Sequence, residues 1–157
     1  MCKPEKLASN MFRAFSFFMP FQSIKHPKNH TLMNPKIVFY DLKMEITDET
    51  KIVARCYSEL MYIIYDTPYC WLHFTDTKKY KVEISLQYMI DNLPIAFIRC
   101  NRSVILNVCY FKEYDFTSLM IVMRDDTVFK LSRRNVKNFN TVRFKLSRIS
   151  PSCKEIL

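Results

Sequence analysis

The chain has 157 residues and not one is glycine. At the usual abundance of about 7% a chain of this length would hold roughly eleven. Only a residue without a Cβ takes positive φ cheaply or lets backbone close on a pyrophosphate. The composition therefore argues against dinucleotide sites and phosphate-cradling loops, and equally against EF-hand loops and the hydrolase nucleophile elbow. Turns must be built from Asn, Asp, Pro and Ser, which bend the backbone through their own side chains or ring. Asp66-Thr67-Pro68 and Arg124-Asp125-Asp126-Thr127 are two such stretches.

Between the turns the chain breaks into short runs of Val, Ile, Tyr and Phe at roughly ten-residue intervals, the pattern of an all-β domain. The runs predict strands at Ile37 to Tyr40, Lys51 to Cys56, Met61 to Tyr65, Cys70 to Thr75 and Tyr80 to Ile84. Further strands are expected at Phe97 to Cys100, Val104 to Asn107, Phe111 to Tyr114, Leu119 to Met123 and Val128 to Leu131. Two hairpins follow from local chemistry, one turning at Asp76-Thr77 and one at Asp125-Asp126. A short helix is expected after Ser85, where Leu86, Met89, Ile90 and Leu93 recur at helical spacing before Pro94. After Ser132, the residues Val136, Phe139, Val142, Leu146 and Ile149 predict a C-terminal helix ending before Pro151, although Val142-Arg143-Phe144 also alternates like a strand. The fold class is thus all-β with one short helix and a candidate C-terminal helix.

The length has room for one domain with a sizeable core and short extensions. Residues 1–35 are expected to form an arm and linker, 36–149 the domain, and 150–157 a tail. Met11 to Phe21 is a poor signal peptide, because Arg13 and Pro20 interrupt its apolar run and no small-residue cleavage site follows. It is also too short for a membrane span. Of the six cysteines, Cys56, Cys70, Cys100 and Cys109 each lie in apolar runs and are expected to be reduced and buried, which fits the cytosol; Cys2 and Cys153 lie outside the predicted strands.

The net charge of +9 is unevenly placed. Residues 36–94 carry seven cations against nine acids, whereas residues 95–149 carry eleven against four. A polyanion partner for the second half is one reading and a solvated basic face is the other. Catalysis has little support, since only three histidines are present. His26 and His30 flank Pro27, which disfavours a helical metal pair, and His73 lies on a predicted strand. No cofactor, no metal and no catalytic residue is expected.

Four stretches in order, SELMYIIYDTPYCWLHF (58–74), SLQYMIDNLP (85–94), FIRCNRSVILN (97–107) and MRDDTVFKLSRRNVKNF (123–139), resemble the LytTR family of bacterial response-regulator output domains. The resemblance covers about residues 44–140, and its two later motifs are the specific ones. It implies small antiparallel sheets with one helix, presenting loops to successive major grooves of double-stranded DNA, commonly at a direct repeat. The matched contact positions are Tyr69, Arg102 and Arg134. A planar guanidinium can bridge O6 and N7 of guanine; Tyr69 suits a thymine methyl or sugar. Around them Arg99, Asn101, Ser103, Arg133, Asn135 and Lys137 are expected to position the DNA backbone. Three of them have a plainer reading as well: Arg99 as a structural ion pair with an acidic residue of the helix, Ser103 as a cap or bulge bridge, and Lys137 as part of a solvated helical face with Arg143, Lys145 and Arg148. Asn107 is expected to hold the turn into Val108-Cys109-Tyr110. Asn101 stands where the family usually has His, and the usual Asp-Gly hairpin turns lack their glycine.

These features imply a sequence-specific double-stranded DNA-binding regulator of transcription in the cytoplasm, without a receiver domain. A homodimer on DNA or a regulatory protein partner is compatible with it. The alternatives are a single-stranded nucleic-acid binder, or a module of LytTR fold that titrates another regulator.

Overall fold

The computed structural model describes residues 37–48 and 51–149. The expected arm (1–35) and tail (150–157), with His26, His30, Cys2 and Cys153, lie outside the described residues. Among the described residues, eleven strands form three antiparallel sheets. The first joins β1 (Ile37–Phe39), β2 (Lys43–Asp48) and β3 (Lys51–Cys56) in that order. The largest has the order β6-β5-β4-β8-β7, from β4 (Leu60–Asp66), β5 (Tyr69–Phe74), β6 (Lys79–Glu83), β7 (Phe97–Arg99) and β8 (Val104–Asn107). The third is a meander of β9 (Phe111–Asp115), β10 (Met120–Met123) and β11 (Val128–Lys130). Helix α1 (Leu86–Asn92) lies between β6 and β7, and α2 (Val136–Ile149) closes the described chain.

Strand β4 is central to the large sheet, paired with β5 on one side and β8 on the other. Its sequence is accordingly a near-continuous apolar run, as a strand covered on both faces requires. On β5 the alternation is strict: Cys70, Leu72 and Phe74 are buried, while Tyr69, Trp71 and His73 are half-buried on the opposite face. Ser85 caps α1 by accepting from the Tyr88 amide at 3.2 Å, as its position predicts, and Leu86 and Met89 turn inward. Helix α2 buries Phe139, Val142 and Leu146, with Phe139 meeting Phe111 and Tyr114 edge to face. The helical spacing therefore prevails over the strand-like alternation at Val142 to Phe144.

Two expectations change. Strand β2 has no counterpart among the predicted strands, because Met44 and Ile46 are its only large apolar residues and its Lys and Glu are depleted in strands generally. Cys56 is exposed, unlike buried Cys70, Cys100 and Cys109. It belongs to β3, which pairs with β2 alone and whose alternate residues Ile52, Ala54 and Cys56 face outward. Arg55, on the other face, joins this sheet to the next: its Nη1 lies 2.9 Å from Asp76 in the β5–β6 turn and its guanidinium covers the Phe74 ring.

Glycine's absence is met by a recurring device. Asp76, Asn101, Asn107, Asp115 and Asp125 each accept a hydrogen bond from the amide two residues on, at 2.8 to 3.2 Å. Positive φ is nonetheless forced on Thr77 (65°), Leu119 (59°) and Asp126 (62°). Asp tolerates this region, but a β-branched threonine does not.

Asn107 is the buried polar residue of the described chain; its Nδ2 donates to the Leu60 carbonyl at 3.0 Å and its Oδ1 accepts from Cys109 at 3.1 Å. It holds the turn as expected, and also ties β8 to the start of β4. Asn107→Ala should lower unfolding free energy by roughly 2–4 kcal/mol, since each orphaned buried group costs about 1–3. Thr77→Gly should raise it by about 0.5–1 kcal/mol, the relief of a left-handed backbone less glycine's extra unfolded-state entropy. Urea unfolding of both variants checks the pair.

Candidate nucleic-acid interface

The two specific motifs, far apart in sequence, meet in the fold. The loop from Cys100 to Ser103 joins β7 to β8, and the turn from Ser132 to Asn135 leads from β11 into α2. The Cys100 carbonyl accepts from the Ser132 amide at 2.9 Å and from Asn135 Nδ2 at 3.3 Å. Asn101 Nδ2 reaches back to the Lys130 carbonyl at 3.2 Å, while its Oδ1 closes the turn on the Ser103 amide. A third segment arrives through the Tyr65 amide, which donates to the Ser103 carbonyl at 2.7 Å. That bond sets the β4–β5 turn, and with it Tyr69, at the same end of the large sheet.

The site residues then separate by what their side chains do. Arg102, Arg133 and Arg134 are exposed, and no described residue hydrogen-bonds or ion-pairs with their guanidinium groups. Lys137 is exposed on the first turn of α2. Tyr69 is half-buried beneath the Lys81 ammonium, which stands 4.6 Å from its ring centre. Asn101, Ser103 and Asn135 are half-buried and form the bonds between loops. The structure thus gathers these positions at one end, with Arg102, Arg133, Arg134 and Lys137 outward and the amides inward.

Arg99 forms a brace, and its helix partner is an amide rather than the acidic residue anticipated. Its Nε donates to the Asn101 carbonyl at 3.3 Å, Nη2 to the Arg102 carbonyl at 3.1 Å and Nη1 to Gln87 Oε1 of α1 at 3.2 Å. The fixed guanidinium fork suits such a role. Neither Gln87 nor Lys81 stood out in the sequence; the alternation of β5 and β6 was the available signal for Lys81, and nothing local marked Gln87.

Cys100 sits inside this junction, its thiol pushed up to about 12 by burial, so it packs as an apolar group and not as a nucleophile. Among the described residues no group of His, Cys, Asp and Glu could hold a metal ion, and no helix is long and apolar enough to cross a membrane.

Three antiparallel sheets carry, on loops at one end, arginines that no described residue engages. Residues 50–143, well over half of the chain, match the model of the LytTr DNA-binding domain, and the chain belongs to that family. Strands β1 and β2 precede the matched span. Among solved structures, the chain is similar to the LytTr DNA-binding domain of a Bacillus cereus protein described as a methyl-accepting/DNA response regulator, at 23% identity and a TM-score of 0.56. The likeness covers 64% of this chain and 95% of that one, and bears on the fold. No curated protein sequence matches the chain. LytTR domains bind DNA and form a DNA-binding family, not an enzyme family.

Beside the interface, His73 stacks on Tyr62 at 4.5 Å, and the Tyr62 hydroxyl donates to Asp125 at 2.8 Å, joining the large sheet to the β10–β11 turn. Burial and then the Lys79 ammonium push the His73 imidazole below its ordinary value, with Asp125 pulling weakly the other way. The unfolded chain therefore takes up this proton first. Stability from the neutral ring is complete above the ordinary value of about 6.5 and is lost as pH falls below it. Unfolding midpoints should drop between about pH 7.5 and 5.5, and His73→Gln should flatten that segment of the curve.

Proposed function

We propose that this protein binds double-stranded DNA in a sequence-specific manner and regulates transcription, using no cofactor and no catalysis. The observation that carries this is the hydrogen-bonded junction of the two loops, which holds Arg102 and Arg134 together with their guanidinium groups unengaged by any described residue. Family membership supplies the ligand class. In this reading Arg102 and Arg134 read guanine edges in the major groove. Tyr69 meets a thymine methyl or a sugar, and Arg133 and Lys137 neutralise phosphates. Asn101, Ser103, Asn135 and Arg99 act by fixing the loops.

Binding to a direct repeat by two copies, and action in the cytoplasm, belong to the same proposal. So does the division into an arm (1–35), a DNA-binding domain (36–149) and a tail (150–157).

Selection of bound sequences from random duplex DNA is the direct test; recovery of a repeated motif is the expected outcome, and a pool without enrichment would sink the proposal. Arg102→Ala and Arg134→Ala should each weaken binding to the selected duplex by about 1–3 kcal/mol and relax base preference at one position. Unchanged specificity in either variant would remove that arginine from the base-reading set.

A further inference from the structure

The outer face of β5 and β6 extends the DNA-facing end along the sheet. Antiparallel register sets Tyr69 opposite Glu83, Trp71 opposite Lys81 and His73 opposite Lys79. These six side chains share one face, and the residues between them, Cys70, Leu72 and Val82, are buried on the other. On the β4 side the same face is closed: Tyr62 is buried, stacked on His73 and packed edge to face against Phe129 of β11. What remains open is a ledge running from Tyr69 to Trp71, edged by exposed Lys79 and Lys81. The Lys81 ammonium lies 4.6 Å from the Tyr69 ring centre and 5.7 Å from that of Trp71.

We infer that this ledge is a second contact for duplex DNA, in which Lys81, Lys79 and Trp71 take the sugar-phosphate backbone beside the bases met by Tyr69 and Arg102. The inference rests on the proposed DNA binding and deepens it. Its location fits, because β5 and β8 both flank β4 and so stand about 10 Å apart, within one face of a duplex. Its chemistry fits as well. Ammonium groups neutralise phosphates, and an indole N–H and a phenol O–H are donors suited to phosphate oxygens. Stacking of unpaired bases is disfavoured, because Lys81 lies over the two aromatic rings and His73 is already stacked on Tyr62. Glu83, opposite Tyr69, is the ledge's carboxylate and marks its limit.

Trp71 is the only tryptophan in the chain, so its emission reports on this ledge and nowhere else. The full chain would be titrated with a random-sequence duplex pool at low salt and then with the selected duplex, following Trp71 emission and the anisotropy of labelled DNA together. The two signals should saturate at the same ratio. Lys81→Gln and Lys79→Gln, both changes at exposed positions, should each make the slope of log affinity against log salt shallower by about 0.9 without altering base preference. Duplex binding by anisotropy with unchanged Trp71 emission and an unchanged salt slope in Lys81→Gln would take the ledge off the DNA while leaving the proposed function standing. Failure to bind any duplex would remove both. Tighter binding and stronger quenching by single strands than by duplex would overturn the inference in favour of a stacking platform.

Discussion

An Asx side chain accepting the backbone amide two residues ahead is the interaction on which most of this structure depends. In a chain without glycine it shapes the β5–β6, β9–β10 and β10–β11 turns through Asp76, Asp115 and Asp125. It also forms the Cys100–Ser103 loop through Asn101 and the entry into the turn after β8 through Asn107. Each bond lets the side chain stand in for a backbone acceptor, so the chain reverses with few residues at positive φ. The cost falls on Thr77, Leu119 and Asp126, where the left-handed region is entered all the same. For Asp115 the Ser118 hydroxyl and then the backbone amides of Thr117 and Ser118 hold the carboxyl below its ordinary range, consistent with a turn that uses the ionised form.

One of those turns, the Cys100–Ser103 loop, belongs to the candidate interface, beside the β4–β5 turn and the Ser132–Asn135 turn. The cations at positions 102, 133 and 134 ride on loops whose geometry is set by the double acceptance at the Cys100 carbonyl and by the reach of Asn101 to Lys130. Arg99 adds a third tie, from the loop to α1 through Gln87. A loop normally loses precision to motion, but a loop whose carbonyls and amides are already engaged loses little further freedom when a ligand arrives.

The sheets were legible in the sequence because the predicted strands carry β-branched or aromatic residues between turn residues, in apolar runs or, as in β6 and β9, among charged neighbours. Strand β2 escaped because its two large apolar residues are one methionine and one isoleucine, with no aromatic residue among its charged neighbours. Helix α2 was legible at Phe139, Val142 and Leu146, whose spacing matches the face it buries. At the interface the positions of Arg102, Arg134 and Tyr69 followed from motif order, and the structure brings them to one end. What could not be read was which side chains bond to which. Arg99 finds a neutral partner in Gln87, Lys81 covers Tyr69, and Asn101 spans to Lys130, all through pairings across elements that local patterns do not encode. The exposure of Cys56 was hidden for a related reason, since an edge strand and an interior strand look alike until the sheet order is known.

Of the five Asx turns, two use an amide where the others use a carboxylate. Asn107 is buried, where an ionised group would be desolvated without a cation to balance it. Asn101 adjoins Arg102, and its amide supplies at once the acceptor that shapes the loop and the donor that reaches β11. An aspartate there would keep the bend, lose the tether and add a negative charge beside the exposed guanidinium groups. The choice between two nearly isosteric side chains thus sorts the turns by electrostatic surroundings, and keeps the one nearest the arginines electrically silent.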